Sequence, residues 1–426
     1  MRPPPEWGVE PVPREMRVLR GLDLFVLWSS LGVGLLVLQA GALLVPSLTF
    51  YEALAVSLAG SFLGSLLLAA AGVMGSKYGV PTMVSLRPVL GLRGSYLPTA
   101  LNVVQLVGWT AFELMIMVEA AVGVLGEFAG CYTRLLWLAA LTAWCALLAL
   151  GGPLAVVREW LEKFAIWLVY ASTLWITLQV LASPELSLRV FSSSPTRELP
   201  VSLALDLVIA MPISWMPLAS DYSRFASSAK RGFLGTLLGY TLANTWFYAL
   251  GAALALGTGQ ELVVSSILLL FLGNLAILPI IVDETDNAFA DIYSAAVSLQ
   301  NAFPRVRQWK LVLAVAALSA ALAYLVPLAE YGHFLLLIGA LFVPLFGVAL
   351  ADYFVVRGGR YELREFYEAA PPLRPAALAS WAVGAAVYFS IAYALPEVGA
   401  SLPSLLASFG LHSLLARGGR VGVDQR

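Results

Sequence analysis

Three side chains in one long apolar segment have the types and spacing needed to hold a flat ring. Gln105, Trp109 and Glu113 follow one another at intervals of four residues, so on a helix they lie along one face. An indole can stack on a heteroaromatic ring, while an amide and a carboxylate can hydrogen-bond to its edge. The alternative is a packed tryptophan beside a glutamate that pairs with another helix. Because an unpaired carboxylate in an apolar segment is costly, we favour the binding interpretation.

A second group of polar side chains interrupts a later apolar run. The stretch VDETDNAFADIYSAAVSLQN, residues 282–301, places five polar residues close together: Asp283, Glu284, Asp286, Asn287 and Asp291. Acidic residues are inexpensive where a helix leaves an apolar layer for water. We expect this position for Asp291, whereas Asp283 is expected to lie within the apolar layer.

Two of the apolar segments carry residues that interrupt a helix. The segment LWSSLGVGLLVLQAG has Gly32 and Gly34 near its middle, and LVIAMPISWMPLASDYSRF contains Pro212 and Pro217. A proline removes a backbone donor and frees a carbonyl, which an apolar layer tolerates only beside a cavity or an ion. The two interruptions lie five segments apart, which favours a five-plus-five inverted repeat with its binding site at the breaks. Ordinary kinks are the alternative.

The amino-acid composition limits the class of protein to which these segments belong. Of 426 residues, 60% are hydrophobic and 12% are charged, and the mean hydropathy is +0.84. A soluble domain carries about 25% charged residues, so a soluble enzyme and a disordered chain are excluded. A net charge of −1 offers no basic surface to nucleic acid. Two cysteines and two histidines leave almost nothing for metal or nucleophilic catalysis, so we expect neither a cofactor nor an enzyme.

A membrane-spanning helix needs about 20 mostly apolar residues. Twelve stretches meet this requirement, which predicts an all-α polytopic membrane protein embedded in the lipid bilayer. The predicted spans are 24–45, 52–74, 97–125, 135–152, 160–182, 201–220, 233–256, 262–286, 310–328, 332–355, 374–394 and 400–416. The predicted domain limits are a tail over 1–23, a transmembrane domain over 24–416 with repeats over about 24–182 and 201–355 and extra helices over 374–416, and a tail over 417–426.

The distribution of positive charge predicts the orientation. With the N-terminus in the cytoplasm and twelve spans, all but three of the 25 Lys and Arg residues fall on the cytoplasmic side. The three exceptions are Arg134, Arg189 and Arg197. Cytoplasmic loops of membrane proteins carry such an excess. We therefore expect a multi-pass protein of the cell membrane with both termini in the cytoplasm.

Several motifs resemble one transporter family, and together they cover most of the chain. They are EWGVEPVP at 6–13, KYGVPTMVSLRPVLGLRGSYLP at 77–98, SWMPLASDYSRF at 214–225, ADIYSAAVSLQN at 290–301 and FVPLFGVALADYFVVRG at 342–358. The sequence resembles the nucleobase–cation symporter-1 family, also called the purine/cytosine permease family. Within it, the sequence is most similar to the branch of cytosine and hydroxymethylpyrimidine permeases.

This resemblance implies a LeuT-type fold, in which a five-plus-five inverted repeat is followed by two additional helices. It also implies a ring held between an aromatic residue of the third span and one of the sixth, with polar groups of the third and eighth spans reading its edge. Trp109 matches the first aromatic position, and Trp215 is the candidate for the second. The implied substrate-binding residues are Gln105, Trp109, Glu113, Ser214, Trp215 and Asp283.

The resemblance further implies a coupling cation between the first and eighth spans, usually sodium. Relatives use backbone carbonyls of the first span and a pair of hydroxyls on the eighth, where this chain has Thr285 followed by Asp286 and Asn287. A carboxylate there suits sodium or a proton. The implied cation-binding residues are Leu31, Gly32, Gly34, Thr285, Asp286 and Asn287.

These observations predict a secondary active transporter that imports a small pyrimidine by cation symport with alternating access. The pyrimidine is a hydroxymethylpyrimidine thiamine precursor or cytosine, because Glu113 favours a donor-rich ring edge over the carbonyl of uracil. A monomer suffices for this function. The alternatives are a carrier of the same fold for a purine, an allantoin- or hydantoin-like ring or an amino acid, and less so a membrane-embedded enzyme.

Overall fold

The computed structural model describes residues 8–152, 166–325, 327 and 330–421, and it describes side chains as far as residue 416. All regular secondary structure in this part of the chain is helical, apart from one isolated bridge between Leu19 and Ala226. Predicted segments at residues 1–7, 160–165 and 422–426 lie outside it. The main helices are α1 Gly21–Ser30, α2 Leu35–Ala42, α3 Phe50–Tyr78, α4 Tyr96–Leu125, α5 Thr133–Gly151, α6 Ile166–Ala182, α7 Pro184–Phe191, α8 Val201–Ser214, α9 Ala219–Ser223, α10 Ala229–Thr258, α11 Val263–Leu268, α12 Gly273–Ala302, α13 Gln308–Leu325, α14 Tyr331–Leu350, α15 Pro375–Ala394 and α16 Ser401–Val421.

Helix length and apolarity identify the protein as polytopic. Within the described residues, seven helical segments are long and apolar enough to cross a membrane. The number becomes nine if α1 with α2 and α6 with α7 each form one bent span. Helices α10 and α12 have 30 residues each, which at about 1.5 Å per residue is also a spanning length. The polytopic prediction is confirmed, and the count of twelve stays a prediction.

Both predicted interruptions are present. Helices α1 and α2 meet at an angle of 60°, and Gly34 between them has φ of 132°, a conformation that favours glycine. In the sixth predicted span, α8 ends at Ser214, a 3-10 turn over Met216–Leu218 follows, and α9 continues the segment. Pro217 lies in that turn. Each break leaves backbone groups for side chains of other helices to satisfy.

Helix α10 supports the broken first span by close backbone packing. It lies against α1, α2 and α3. A Cβ at Gly251 of α10 would overlap the carbonyl of Leu38, and one at Gly41 of α2 would overlap the carbonyl of Tyr248. Small residues let helix backbones approach closely in membrane bundles. The angle of the first break is thereby fixed against a long continuous helix.

The prediction of the eighth span at 262–286 is wrong. That apolar run is divided between the short α11 and the long α12, because the chain turns at Leu272, which has φ of 55°. Helix α12 then continues through the acidic stretch to Ala302. Asp291, expected to emerge into water, lies within α12 and is 2% exposed. Hydropathy ended the span too early because neighbouring helices, not water, cover these acids. The other bounds that fall within the described residues agree to within about five residues, whereas the start of the span predicted at 160–182 and the end of that at 310–328 lie outside them.

The segment before α1 packs across one end of the bundle. The amide of Val12 donates to the carbonyl of Gly79 at 2.9 Å, and the hydroxyl of Tyr367 donates to the carbonyl of Val9 at 2.7 Å. The buried guanidinium of Arg224 donates to the carbonyl of Gly8 at 2.8 Å. Residues from Gly8 onward in the predicted tail are thus bonded to the transmembrane helices.

Candidate functional site

The break between α1 and α2 is held by two side chains of α12. Oε2 of Glu284 accepts a hydrogen bond from the backbone amide of Leu35 at 2.6 Å, at the start of α2. Nδ2 of Asn287 donates to the carbonyl of Val33 at 3.1 Å. A carboxylate at a helix N-terminus satisfies a free amide and complements the helix dipole. The acidic stretch therefore completes the broken helix from across the bundle.

A closed cavity lies beside this break. It contains about 330 Å³ of space free of protein atoms, but the centre of a water molecule can move over only about 10 Å³ of it. Helices α2, α4, α8 and α12 and the two breaks contribute its walls. The lining residues are Leu31, Leu36, Val37, Trp109, Glu113, Met211, Ser214, Trp215, Glu284, Asn287 and Asp291. Side chains must therefore move to admit a ligand larger than water.

Two indoles from different repeats line this cavity. Trp109 of α4 packs edge-on against Tyr331 and Phe334 of α14, with ring centroids 5.7 and 5.3 Å apart. Trp215, at the break after α8, packs edge-on against Trp28 at 6.3 Å. Such T-shaped contacts are a preferred geometry for aromatic pairs. The indoles are consequently fixed by their neighbours and available for a ring placed between α4 and the second break.

Three carboxylates share the cavity with the indoles. Glu113, Glu284 and Asp291 are each at most 2% exposed. Glu284 has the amide of Leu35 as a donor, but Oε2 of Glu113 and Oδ2 of Asp291 have no hydrogen-bond partner. In the described part of the chain, no salt bridge includes any of the three. Such groups are costly in a buried site and mark it as a functional candidate.

The structure brings four of the predicted substrate residues to this cavity: Trp109, Glu113, Ser214 and Trp215. The other two lie outside it. Nε2 of Gln105 donates to Oδ1 of Asn102 at 2.8 Å and to the carbonyl of Ser214 at 3.0 Å, which joins α4 to the end of α8. Asp283 accepts a hydrogen bond from the hydroxyl of Ser30 at 2.8 Å, at the end of α1.

The predicted cation residues divide in the same way. Leu31 and Asn287 line the cavity, and Gly34 adjoins Glu284 and Asn287. Gly32 instead packs near the carbonyl of Tyr240 on α10. The hydroxyl of Thr285 accepts a hydrogen bond from the indole of Trp144 at 3.3 Å, so it is directed towards α5. Asp286 is 1% exposed on α12.

In the described residues, no group of three or more His, Cys, Asp or Glu side chains is arranged to hold a metal ion. A sodium site at the break would rely mainly on carbonyl and hydroxyl oxygens, which hard cations accept.

Sequence reasoning did not assign Glu284 and Asp291 to the binding site. Their spacing contained a usable signal, because residues 284, 287 and 291 recur at i, i+3 and i+7 and share one helix face. A span that ends at residue 286 leaves Asp291 out of this helix face.

A larger open space lies on the other side of Tyr331. The centre of a water molecule can move over about 800 Å³ there, between the end of α2, the start of α14 and the segment joining α10 to α11. Tyr331 lines this space, packs against Trp109, and donates from its hydroxyl to the carbonyl of Leu36 at 3.1 Å. It therefore stands between the open space and the closed cavity.

The fold is shared with solved membrane transporters. The chain matches the structure of Mhp1, a nucleobase-cation-symport-1 family transporter in a closed conformation with bromovinylhydantoin bound. The TM-score is 0.85 at 20% identity, over 97% of this chain and 95% of that one. The protein is therefore a polytopic membrane protein with the all-helical LeuT-type fold, as the sequence predicted.

The family follows from the sequence. The model described as "Permease for cytosine/purines, uracil, thiamine, allantoin" matches residues 11–413, so the chain belongs to this permease family. It is 23% identical to the "Putative purine-cytosine permease YxlA" of Bacillus subtilis (strain 168), over 92% of this chain and 88% of the relative. It is also 23% identical to the allantoin permease of the same organism, over 77% and 73%.

Proposed function

We propose that the protein imports a small pyrimidine by cation symport, and that the pyrimidine is a hydroxymethylpyrimidine thiamine precursor or cytosine. One observation carries the proposal: Trp109, Trp215 and Glu113 line one closed cavity at the two helix breaks. Membership of the permease family supports transport of a nucleobase-like ring. The protein acts in the cell membrane, as a monomer, with both termini in the cytoplasm.

In this proposal the ring stacks on the indoles, and Glu113 hydrogen-bonds to the edge of the ring. Stacking on an aromatic side chain contributes about 1–3 kcal/mol per base. A carboxylate accepts hydrogen bonds unless it is protonated, so Glu113 pairs with an exocyclic amino group. Uracil places a carbonyl at that position. A site built to meet a donor rejects an analogue that lacks it, because its own polar group is then left unpaired.

The coupling ion is a sodium ion or a proton held near the first break. The proposed site combines the carbonyls of Leu31, Gly32 and Gly34 with α12 residues Thr285, Asp286 and Asn287. The bond between Asn287 and the carbonyl of Val33 supports this placement, since it joins the two elements at the break. The structural neighbour Mhp1 is a nucleobase-cation-symport-1 family transporter, which supports a cation as the driving ion.

The two spaces on either side of Tyr331 support a proposed alternating-access cycle. When α14 moves, Tyr331 leaves Trp109 and opens the closed cavity to the larger space. The opposite end of the helix bundle then opens and releases the ligand on that side of the membrane, while the binding site itself stays in place.

The test is uptake into sealed proteoliposomes that contain the purified protein. Labelled cytosine and labelled hydroxymethylpyrimidine are supplied with an imposed sodium gradient, with an imposed pH gradient, and with neither. We expect concentrative uptake that depends on one of the two gradients and is reduced in Trp109→Ala. Uptake of neither ring under any gradient, from vesicles with correctly folded protein, would contradict the proposal.

A hydantoin- or allantoin-like ring is the second candidate, because an allantoin permease matches most of the chain and the Mhp1 structure holds a hydantoin. Such rings present two carbonyls and ring amides where an aminopyrimidine presents an amino group. Competition of unlabelled allantoin and hydantoin against labelled cytosine distinguishes the two candidates.

A further inference from the structure

The cavity has an unusual charge content for a site that binds a neutral ring. Three of its lining residues are carboxylates, and none of the lining residues is Lys, Arg or His. Glu113, Glu284 and Asp291 line the same cavity, so the three acids are neighbours. Acidic groups brought together in an apolar bundle repel one another strongly, because the surroundings screen them weakly.

Of the three acids, Glu284 alone accepts a hydrogen bond in the part of the chain that the structure describes. Glu284 accepts the hydrogen bond from Leu35 and lies at the N-terminus of α2, which favours its negative charge. Glu113 and Asp291 lie on different helices, α4 and α12, and each has a buried oxygen without a partner. Both side chains line the cavity, so a ligand placed there is the group that can meet them.

The aromatic residues of the cavity suit the same ligand charge. Trp109 and Trp215 provide two indoles, and the indole is the best aromatic partner for a cation placed over its face. Indoles combined with carboxylates form the usual receptor for a flat organic cation, since the rings contact its faces and the acids accept from its N–H edge. A neutral ring would leave at least one acid without an opposite charge, and that acid would then have to bind a proton.

We propose that the ligand is bound as a planar organic cation, such as an aminopyrimidinium or an amidinium, whose N–H groups donate to Glu113 and Asp291. This inference rests on the proposed transport of a small ring, and it narrows the substrate to a charge class. The positive charge belongs to the ligand and is separate from the coupling ion at the first break.

The test compares two probes that share a shape and differ in charge. Benzamidine is a cation at neutral pH and benzamide is its neutral counterpart, and binding of both to the purified protein is followed by quenching of tryptophan fluorescence. We expect benzamidine to bind about tenfold more tightly or better, because hydrogen bonds to charged groups are stronger than neutral ones. This comparison uses the unaltered protein and so does not depend on the folding of a variant.

Two variants test whether Glu113 and Asp291 are the groups that bind the cationic probe. Glu113→Gln and Asp291→Asn keep the side-chain size and remove the charge, and each should weaken benzamidine binding about tenfold while changing benzamide binding by less than threefold. Glu119→Gln is the matched control, because Glu119 is on the same helix as Glu113 but pairs with Arg134 at a more exposed position. It should change neither affinity.

The outcomes separate this inference from the proposed function. Equal affinity for the two probes overturns the cationic ligand, even if cytosine is taken up. Variants that weaken both probes equally also overturn it, since the acids would then have a structural role. Benzamidine bound selectively, in a protein that takes up no ring, supports the cationic ligand and contradicts the proposed transport.

Discussion

Replacing Gly34 with alanine tests the junction between the first break and α12. Gly34 has φ of 132° and ψ of 171°, a region of backbone space that is used almost only by glycine. A Cβ there would overlap Oε2 of Glu284 and lie 3.0 Å from Nδ2 of Asn287. Glu284 cannot turn away without losing its hydrogen bond to the amide of Leu35. The substitution therefore holds alanine in a strained backbone conformation and also displaces Glu284 from that bond.

The two costs can be estimated separately. A residue held in a sparsely populated backbone region costs about 1–3 kcal/mol. Loss of a hydrogen bond to a charged group costs about 1.5–3 kcal/mol more. We expect Gly34→Ala to lower the free energy of unfolding by about 2.5–6 kcal/mol, the sum of these two costs. Unfolding of the solubilised protein by denaturing detergent in mixed micelles, followed by tryptophan fluorescence, measures this change.

A double-mutant cycle isolates the contribution of Glu284. In a Glu284→Ala background the overlap disappears, and Gly34→Ala should cost only the backbone part, about 1–3 kcal/mol. Gly410→Ala is the control, because a Cβ at this helical position meets nothing within 4 Å. It should leave stability unchanged or raise it by up to about 1 kcal/mol. Equal costs of Gly34→Ala in both backgrounds would refute the contact between Gly34 and Glu284.

Three further results are expected. Trp109→Ala should weaken ring binding about 5- to 150-fold, and it should also destabilise the protein because Trp109 packs against Tyr331 and Phe334. Trp109→Phe should retain most of the stability. Equal ring affinity in folded Trp109→Ala would show that the indole is not part of the binding site. A single cysteine at exposed Arg93, in a background without native cysteines, should react with an impermeant reagent only from the cytoplasmic side, and labelling from outside intact cells would reverse the predicted orientation. Asp286→Asn should alter the dependence of uptake on the sodium or pH gradient, and unchanged rate and ion dependence would exclude Asp286 as an ion ligand.

Local sequence determined the elements that carry the site. The spacing of Trp109 and Glu113 on one apolar helix placed both on the same helix face, because helix periodicity is a local property, and both line the cavity. The interruptions of the first and sixth spans were also predicted from the sequence. Glycine and proline act on the backbone at the position where they occur, whatever the rest of the chain does.

Tertiary structure decided which acidic residues face the cavity and which satisfy other groups. Hydropathy treats a cluster of acids as the end of a span, yet α12 continues through residues 283–291 because other helices cover their side chains. Asp283 bonds to Ser30, whereas Asp291 lines the cavity. Ser30 lies 253 residues from Asp283 in the chain, on a helix whose position no local pattern encodes. A buried charge is stable only beside the groups that the folded bundle brings to it, so the role of each acid could be read only from the tertiary structure.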